Sequence, residues 1–149
     1  MKALIQRVTS ASVAIDGITI SKIASGFLIL LGVEQGDGDG DIKYLVKKTI
    51  GLRIFKDGTN NMNLSIQDVG GEALVVSQFT LCADTSRGRR PSFLNTTSPE
   101  VADQMYQQYC EQLILNGVPV QTGQFGAMMD VSLVNDGPVT IILESGNTH

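Results

Sequence analysis

Apolar and polar residues alternate through the first fifteen positions of the chain. Leu4-Ile5, Val8, Val13 and Ile15 lead to Asp16-Gly17, after which Ile18, Ile20 and Ile23 resume the pattern. Alternation on both sides of a two-residue turn predicts a β-hairpin. The run GFLILLGV at residues 26–33 is apolar throughout and bounded by glycine, which predicts a strand covered on both faces and central in a sheet. An acidic, glycine-rich loop follows, in which Asp39 or Asp41 is placed to cap a helix. Ile42, Leu45, Val46, Thr49 and Ile50 then recur at helical spacing, with Lys43, Lys47 and Lys48 on the opposite side.

After Arg53-Ile54-Phe55 the stretch KDGTNNMN is rich in turn formers, and ALVVSQFTL reads as a strand running to a polar end. Residues 82–97, CADTSRGRRPSFLNTT, show little periodicity and form an exposed loop. Ser98-Pro99-Glu100 opens a second helix, with serine as N-cap, proline in the first helical position and glutamate at the positive end of the dipole. Met105, Tyr109 and Leu113 share one face of it, and Asn116-Gly117 closes it. Two final strands, AMMDVSLV and VTIILE, flank Asn135-Asp136-Gly137-Pro138, a turn by its chemistry, so hairpins are expected at both ends of the chain. Strands that neighbour one another in sequence, with only two helices, predict an α+β fold. The expected form is a barrel-like packing of curved, largely antiparallel β-sheets covered by two helices, as one domain over residues 1–149.

The bulk properties fit that picture. A 149-residue chain with 42% hydrophobic and 17% charged residues buries one core and is neither disordered nor fibrous. Its longest charge-free apolar run is too short to cross a bilayer as a helix, and Arg7 interrupts any signal-peptide core, so no membrane contact and a cytoplasmic location are expected. Cys82 and Cys110 form no CxxC pair and are expected to be reduced. The only histidine is His149, so a histidine triad or histidine metal site is not expected. No metal-ligand cluster and no glycine-rich nucleotide loop is visible, and no cofactor is predicted. A net charge of −4 and a pI near 4.8 argue against a chain that coats nucleic acid, DNA included, through its overall field. Any RNA contact is local, through Arg87, Arg89 and Arg90 or, as second choice, Lys43, Lys47 and Lys48; each cluster is equally compatible with an ordinary solvated surface.

Two short segments carry candidate chemistry. Ser77-Gln78-Phe79-Thr80 breaks an apolar strand with hydroxyls and an amide, and N–H groups freed at a strand end can bind a developing oxyanion; a strand simply entering a loop looks the same. Thr80 is a nucleophile by type, but its neighbours supply no activating base. Gly137-Pro138 is an X-Pro step, a bond that adopts cis at small cost and then points two successive carbonyls in unusual directions.

The sequence resembles the D-aminoacyl-tRNA deacylases of the bacterial and eukaryotic type through ALIQRV at 3–8, SQFTL at 77–81, GRRPSF at 88–93 and QFGAMMDVSLVNDGPVT at 124–140. These landmarks run from the first strand to the last. The resemblance implies hydrolysis of D-aminoacyl-tRNA by a homodimer with its active site at the interface. It also implies a cis Gly137-Pro138 bond that enters the partner's pocket formed by Ser77, Gln78, Phe79 and Thr80, with Arg7 orienting the carbonyls of that bond. A ribose hydroxyl of the substrate then assists catalysis in place of a protein base. Phe125 is either a stacking surface for adenine or a core residue.

Overall fold

The computed structural model describes residues 1–146; His149 lies outside the described residues. Strand β1 (Lys2–Ile15) is the spine of a six-stranded sheet. One of its edges pairs antiparallel with β8 (Asp130–Glu144) along nearly its whole length. The other pairs antiparallel with β2 (Ile18–Ile23) near its end and with β3 (Gly26–Gly32) near its start. Beyond β3 lie β6 (Glu72–Ser77) and β7 (Val120–Thr122), both parallel to their neighbours. A separate two-stranded piece pairs β4 (Phe55–Lys56) with β5 (Met62–Leu64). The sheet curls until β2 meets β7, where the Ser21 hydroxyl donates to the Thr122 carbonyl, so the barrel is nearly closed.

Two helices, α1 (Asp39–Gly51) and α2 (Pro99–Leu115), cover one face. Ile42, Leu45 and Val46 of α1 and Met105, Tyr109 and Leu113 of α2 pack with Ala3, Ile5, Phe27, Ile29 and Val75 of the sheet. The opposite face gathers Val8, Ala11, Val13, Ile23, Leu28, Leu74 and Val76 inside the curl. β3 and β6 contribute to both clusters, so they carry near-continuous apolar runs. The alternation of buried positions along β1 is interrupted at the consecutive buried pair Arg7-Val8. That is where its pairing with β8 shifts register. Inside the helical layer, the Tyr109 and Thr49 hydroxyls bond at 2.8 Å and tie α2 to α1.

Local signals place both helices. Val101 N–H donates to the Ser98 side chain at 3.4 Å, as its N-cap position requires. At the other end, Gly117 and Val118 N–H groups bond the Ile114 and Leu113 carbonyls, the paired bonds of a Schellman close. In α1 the N-cap is Gly38, and Asp41 acts from inside the first turn by accepting the Gly38 N–H at 2.8 Å.

The sheet is largely antiparallel, as expected, and is mixed where β3, β6 and β7 run parallel; after β3 the chain crosses over through α1 and returns in the same direction. Two expectations need correction. The last two predicted strands are one, β8, which begins at Asp130, so Asn135–Pro138 is no hairpin turn. Both halves of β8 find the same partner, β1, and the four residues between them form a bulge with no register partner on it. The strand through ALVVSQFTL stops at Ser77, and Phe79–Cys82 coils into a 3-10 turn. This turn folds back over Gly32, where an added Cβ would lie 3.0 Å from Cys82 Sγ and 3.1 Å from Leu81 Cβ.

Candidate active site

The first part of the site is built where β6 runs out. Ser77 pairs with Leu31, and Gln78 N–H extends the ladder by donating to the Leu31 carbonyl at 2.8 Å. The backbone then turns away. The first bond of the 3-10 turn is Leu81 N–H to the Gln78 carbonyl, 3.2 Å, so the Phe79 and Thr80 N–H groups precede it and make no hydrogen bond among the described residues. Two unpaired N–H groups at an exposed turn are what an oxyanion requires. The Thr80 hydroxyl accepts from the Gln78 amide. Thr80 is exposed, and no base holds its hydroxyl, which leaves it unactivated.

Phe79, 57% exposed, sets its ring against Phe93 in an edge-on pair with centroids 5.1 Å apart. Asp84 and Ser92 exchange backbone hydrogen bonds of 2.8 and 2.9 Å, closing a loop that carries Arg87, Arg89 and Arg90 in solvent. Two of the sequence landmarks, SQFTL and GRRPSF, therefore meet through Phe79 and Phe93, and the loop before Phe93 carries the three cations. Lys43, Lys47 and Lys48 are exposed on α1.

The second part is the bulge in β8. Val8 pairs with Asn135 and Gln6 with Thr140, so Asp136–Val139 lie opposite Arg7 alone. The Gly137-Pro138 peptide bond is cis, and Gly137 has φ +142. A Cβ on Gly137 would stand 2.8 Å from Val139 Cγ2 and 3.1 Å from Arg7 Nη2, so glycine is required. Arg7 is 1% exposed. Its Nε donates to the Asp136 carbonyl at 2.9 Å, its Nη1 donates to the Ile54 carbonyl, and the Asp136 carboxylate lies 3.5 Å away. Its acceptor is thus the carbonyl one residue before Gly137, rather than the carbonyls of Gly137 or Pro138. Asn135 closes the bulge from the other side: its Oδ1 accepts Val139 N–H at 2.7 Å, and its Nδ2 donates to the Val139 carbonyl and to Thr140 Oγ1. Sequence reading took Asn135 as a turn former and missed this. Its position two residues before a Gly-Pro step was the only signal.

The two parts do not meet within one chain. Ser77 lies level with Leu31 and hence with Ala3, whereas the bulge lies level with Arg7, four positions further along β1. β6 reaches β8 only across β3 and β1. At about 3.3 Å per residue and about 4.8 Å per strand, the two are separated by about 20 Å along the sheet. Among the described residues β8 has β1 as its only strand partner, so no strand lies along its far edge, and Val134 and Ile142 of β8 are exposed at 56% and 59%.

Near the β6 end a groove of about 500 Å³ separates α2 from residues 122–125. Phe125 is half-buried in its wall with its ring 6.2 Å from Tyr106, whose hydroxyl donates to the Val75 carbonyl at 2.6 Å. Burial pushes the Tyr106 hydroxyl well above its ordinary pKa, so it stays a donor. Among the described residues no three His, Cys, Asp or Glu side chains gather as a metal site. No helix among them is long and apolar enough to cross a membrane.

The sequence model for D-Tyr-tRNA(Tyr) deacylase matches residues 4–144. The chain belongs to this deacylase family. It is 52% identical over 145 residues to the D-aminoacyl-tRNA deacylase of Desulfatibacillum aliphaticivorans, covering 97% of this chain and 99% of that one. It is 55% identical over 145 residues to the enzyme of the same name from Roseiflexus castenholzii, covering 97% and 92%. The deacylase fold extends to the solved structure of a c-Myc DNA unwinding element binding protein, with 41% identity and a TM-score of 0.93 over 97% of this chain and 99% of that one.

Proposed function

We propose that the chain hydrolyses the ester joining a D-amino acid to the terminal adenosine of tRNA, in the cytoplasm and as a homodimer. Gly137 and Pro138 of each copy enter the pocket beside Ser77, Gln78, Phe79 and Thr80 of the other. The observation that carries the two-copy reading is the separation of about 20 Å between bulge and turn within one sheet. The far edge of β8, without a strand partner among the described residues, and the exposed apolar Val134 and Ile142 support the same reading, because an unpaired strand edge is a surface for another chain.

The chemistry follows from what each part offers. Water adds to the ester carbonyl, the developing oxyanion accepts from the Phe79 and Thr80 N–H groups, and the ribose oxygen leaves with the proton. A neighbouring ribose hydroxyl of the substrate serves the proton transfer, since the pocket side chains include no histidine or carboxylate. Thr80, Gln78 and Ser77 orient the acyl group, and such positioning is worth several kcal/mol. The Gly137 and Pro138 carbonyls hold the amino group. One face of the α-carbon then meets open space and the mirror position meets backbone, so an L side chain is excluded by contact rather than by weaker binding. Glycine has no side chain to exclude and is cleaved. Arg87, Arg89 and Arg90 bind the tRNA backbone.

The test is hydrolysis of D-tyrosyl-tRNA, L-tyrosyl-tRNA, glycyl-tRNA and a free D-tyrosine ester. Cleavage of the first and third alone is expected. Cleavage of the free ester at a comparable rate would remove the substrate-assisted step, and an intact glycyl-tRNA would remove the steric account. A second reading, a nucleic-acid-binding protein of the same fold without hydrolysis, draws on the name of the 41% identical solved structure. It predicts no cleavage of any of the four.

A further inference from the structure

We propose that Asn135 is a positioning residue for this reaction: its carboxamide fixes the Asp136–Pro138 segment against Val139, so that the Gly137 and Pro138 carbonyls keep one orientation. The inference rests on the reading that these carbonyls select chirality. It assigns the rigidity of the element to a residue outside it.

The bulge is a place where the sheet cannot supply order. Between Val8↔Asn135 and Gln6↔Thr140, β1 offers no backbone partner to residues 136–139. Pro138 has no N–H to give. Asn135 replaces the missing ladder with its side chain. Its Oδ1 accepts Val139 N–H at 2.7 Å, while Nδ2 donates to the Val139 carbonyl at 3.1 Å and to Thr140 Oγ1 at 3.2 Å. One carboxamide thus engages the N–H and the C=O of the same residue, and a reversed amide would lose both contacts. Gln6 Nε2 reaches the same Thr140 Oγ1 at 3.4 Å and links the clamp to β1.

Val139 is a suitable anchor. It is buried at 7% exposure, and its Cγ2 lies directly under Gly137. Arg7 secures the entry to the segment through the Asp136 carbonyl, and Asn135 secures the exit through Val139. The two residues between these fixed points, Gly137 and Pro138, have little freedom to swing. A carbonyl gauge that swings accepts the wrong enantiomer, so loss of the clamp lowers selectivity more than it lowers the rate on the correct substrate.

The experiment measures kcat/KM on D- and L-tyrosyl-tRNA for the wild-type protein, Asn135→Leu, Asn135→Asp and Pro138→Ala, together with hydrogen exchange at the Val139 amide. Asn135→Leu removes donors and acceptor at similar volume. Its D/L ratio should fall about tenfold, the equivalent of one hydrogen bond, and its Val139 amide should exchange faster. Asn135→Asp keeps the acceptor but turns a carboxylate oxygen towards the Val139 carbonyl. Its ratio should fall while the amide stays protected. Parallel loss of D and L rates at a constant ratio would make Asn135 merely structural and overturn the proposal. Should the leucine variant fail to fold, a wild-type ratio in Asn135→Asp overturns it equally. Pro138→Ala separates the levels: if it leaves the ratio unchanged, the chirality reading itself fails. If it lowers the ratio and neither Asn135 variant does, only the role of Asn135 fails.

Discussion

Replacing Arg7 with methionine tests the bulge most directly. Methionine fills a similar volume but donates nothing, so the Asp136 and Ile54 carbonyls lose the partner that Arg7 gives them. A buried carbonyl left unpaired costs about 1–3 kcal/mol. Against this, removing the guanidinium relieves the desolvation of a charge that is 1% exposed. The Asp136 carboxylate, 46% exposed, keeps water as its alternative partner and adds little. The balance is a loss of about 2–4 kcal/mol, which lowers the melting temperature of a chain this size by about 5–15 °C. Arg7→Lys should fall between, because one ammonium cannot serve two carbonyls in the plane of a fork. Both variants are melted by circular dichroism at one fixed protein concentration, then assayed on D- and L-tyrosyl-tRNA. A methionine variant that melts within about 2 °C of wild type and keeps its D/L ratio would refute the claim that Arg7 holds the bulge.

Three further outcomes follow from the geometry. Thr80→Ala should weaken deacylation by about tenfold without abolishing it, since the hydroxyl positions and the N–H groups remain; complete loss of single-turnover cleavage with tRNA still bound would revive a nucleophilic Thr80. Replacing Arg87, Arg89 and Arg90 together with serine should raise KM and flatten its dependence on salt while kcat holds, and an unchanged salt slope would place the tRNA contact elsewhere. Burial raises the Cys110 thiol to about 12 and pushes up the Cys82 thiol and the Tyr106 and Tyr109 hydroxyls. The folded chain therefore keeps protons that the unfolded chain releases from about pH 8.5 upward, so stability is full below that pH and is lost as pH rises towards about 12. Melting temperatures should be level from pH 7 to 8 and fall steadily by pH 10.5, and a flat profile there would contradict the sign.

The helices and the first hairpin were legible because their periodicity reports burial directly. Ile42, Leu45 and Val46 face the core as spaced, and Ser98 caps as its position before Pro99 implies. The bulge was not legible. Asn135-Asp136-Gly137-Pro138 has the composition of a turn, and what makes it part of one strand is the pairing of both its flanks with β1, more than a hundred residues earlier. Arg7 shows the same limit: in an alternating strand a charge reads as surface, and its acceptors, the Asp136 carbonyl of the bulge and the Ile54 carbonyl, lie far away in sequence. Phe79 and Thr80 were legible as a break in an apolar strand. The fold of that break over Gly32 and the meeting of Phe79 with Phe93 depend on contacts that local spacing does not encode.

The separation of turn and bulge along the sheet has a genetic consequence. If the chain works as the proposed homodimer, each working site takes half its parts from each chain, so damage to the turn and damage to the bulge belong to different halves. A chain with an inactivated turn and a chain altered at Gly137, each inert as a pure population, should regain activity when allowed to exchange partners. In every mixed pair one site inherits both defects and the other inherits neither. A randomly mixed population then approaches a quarter of the wild-type sites, whereas two turn mutants mixed together restore none.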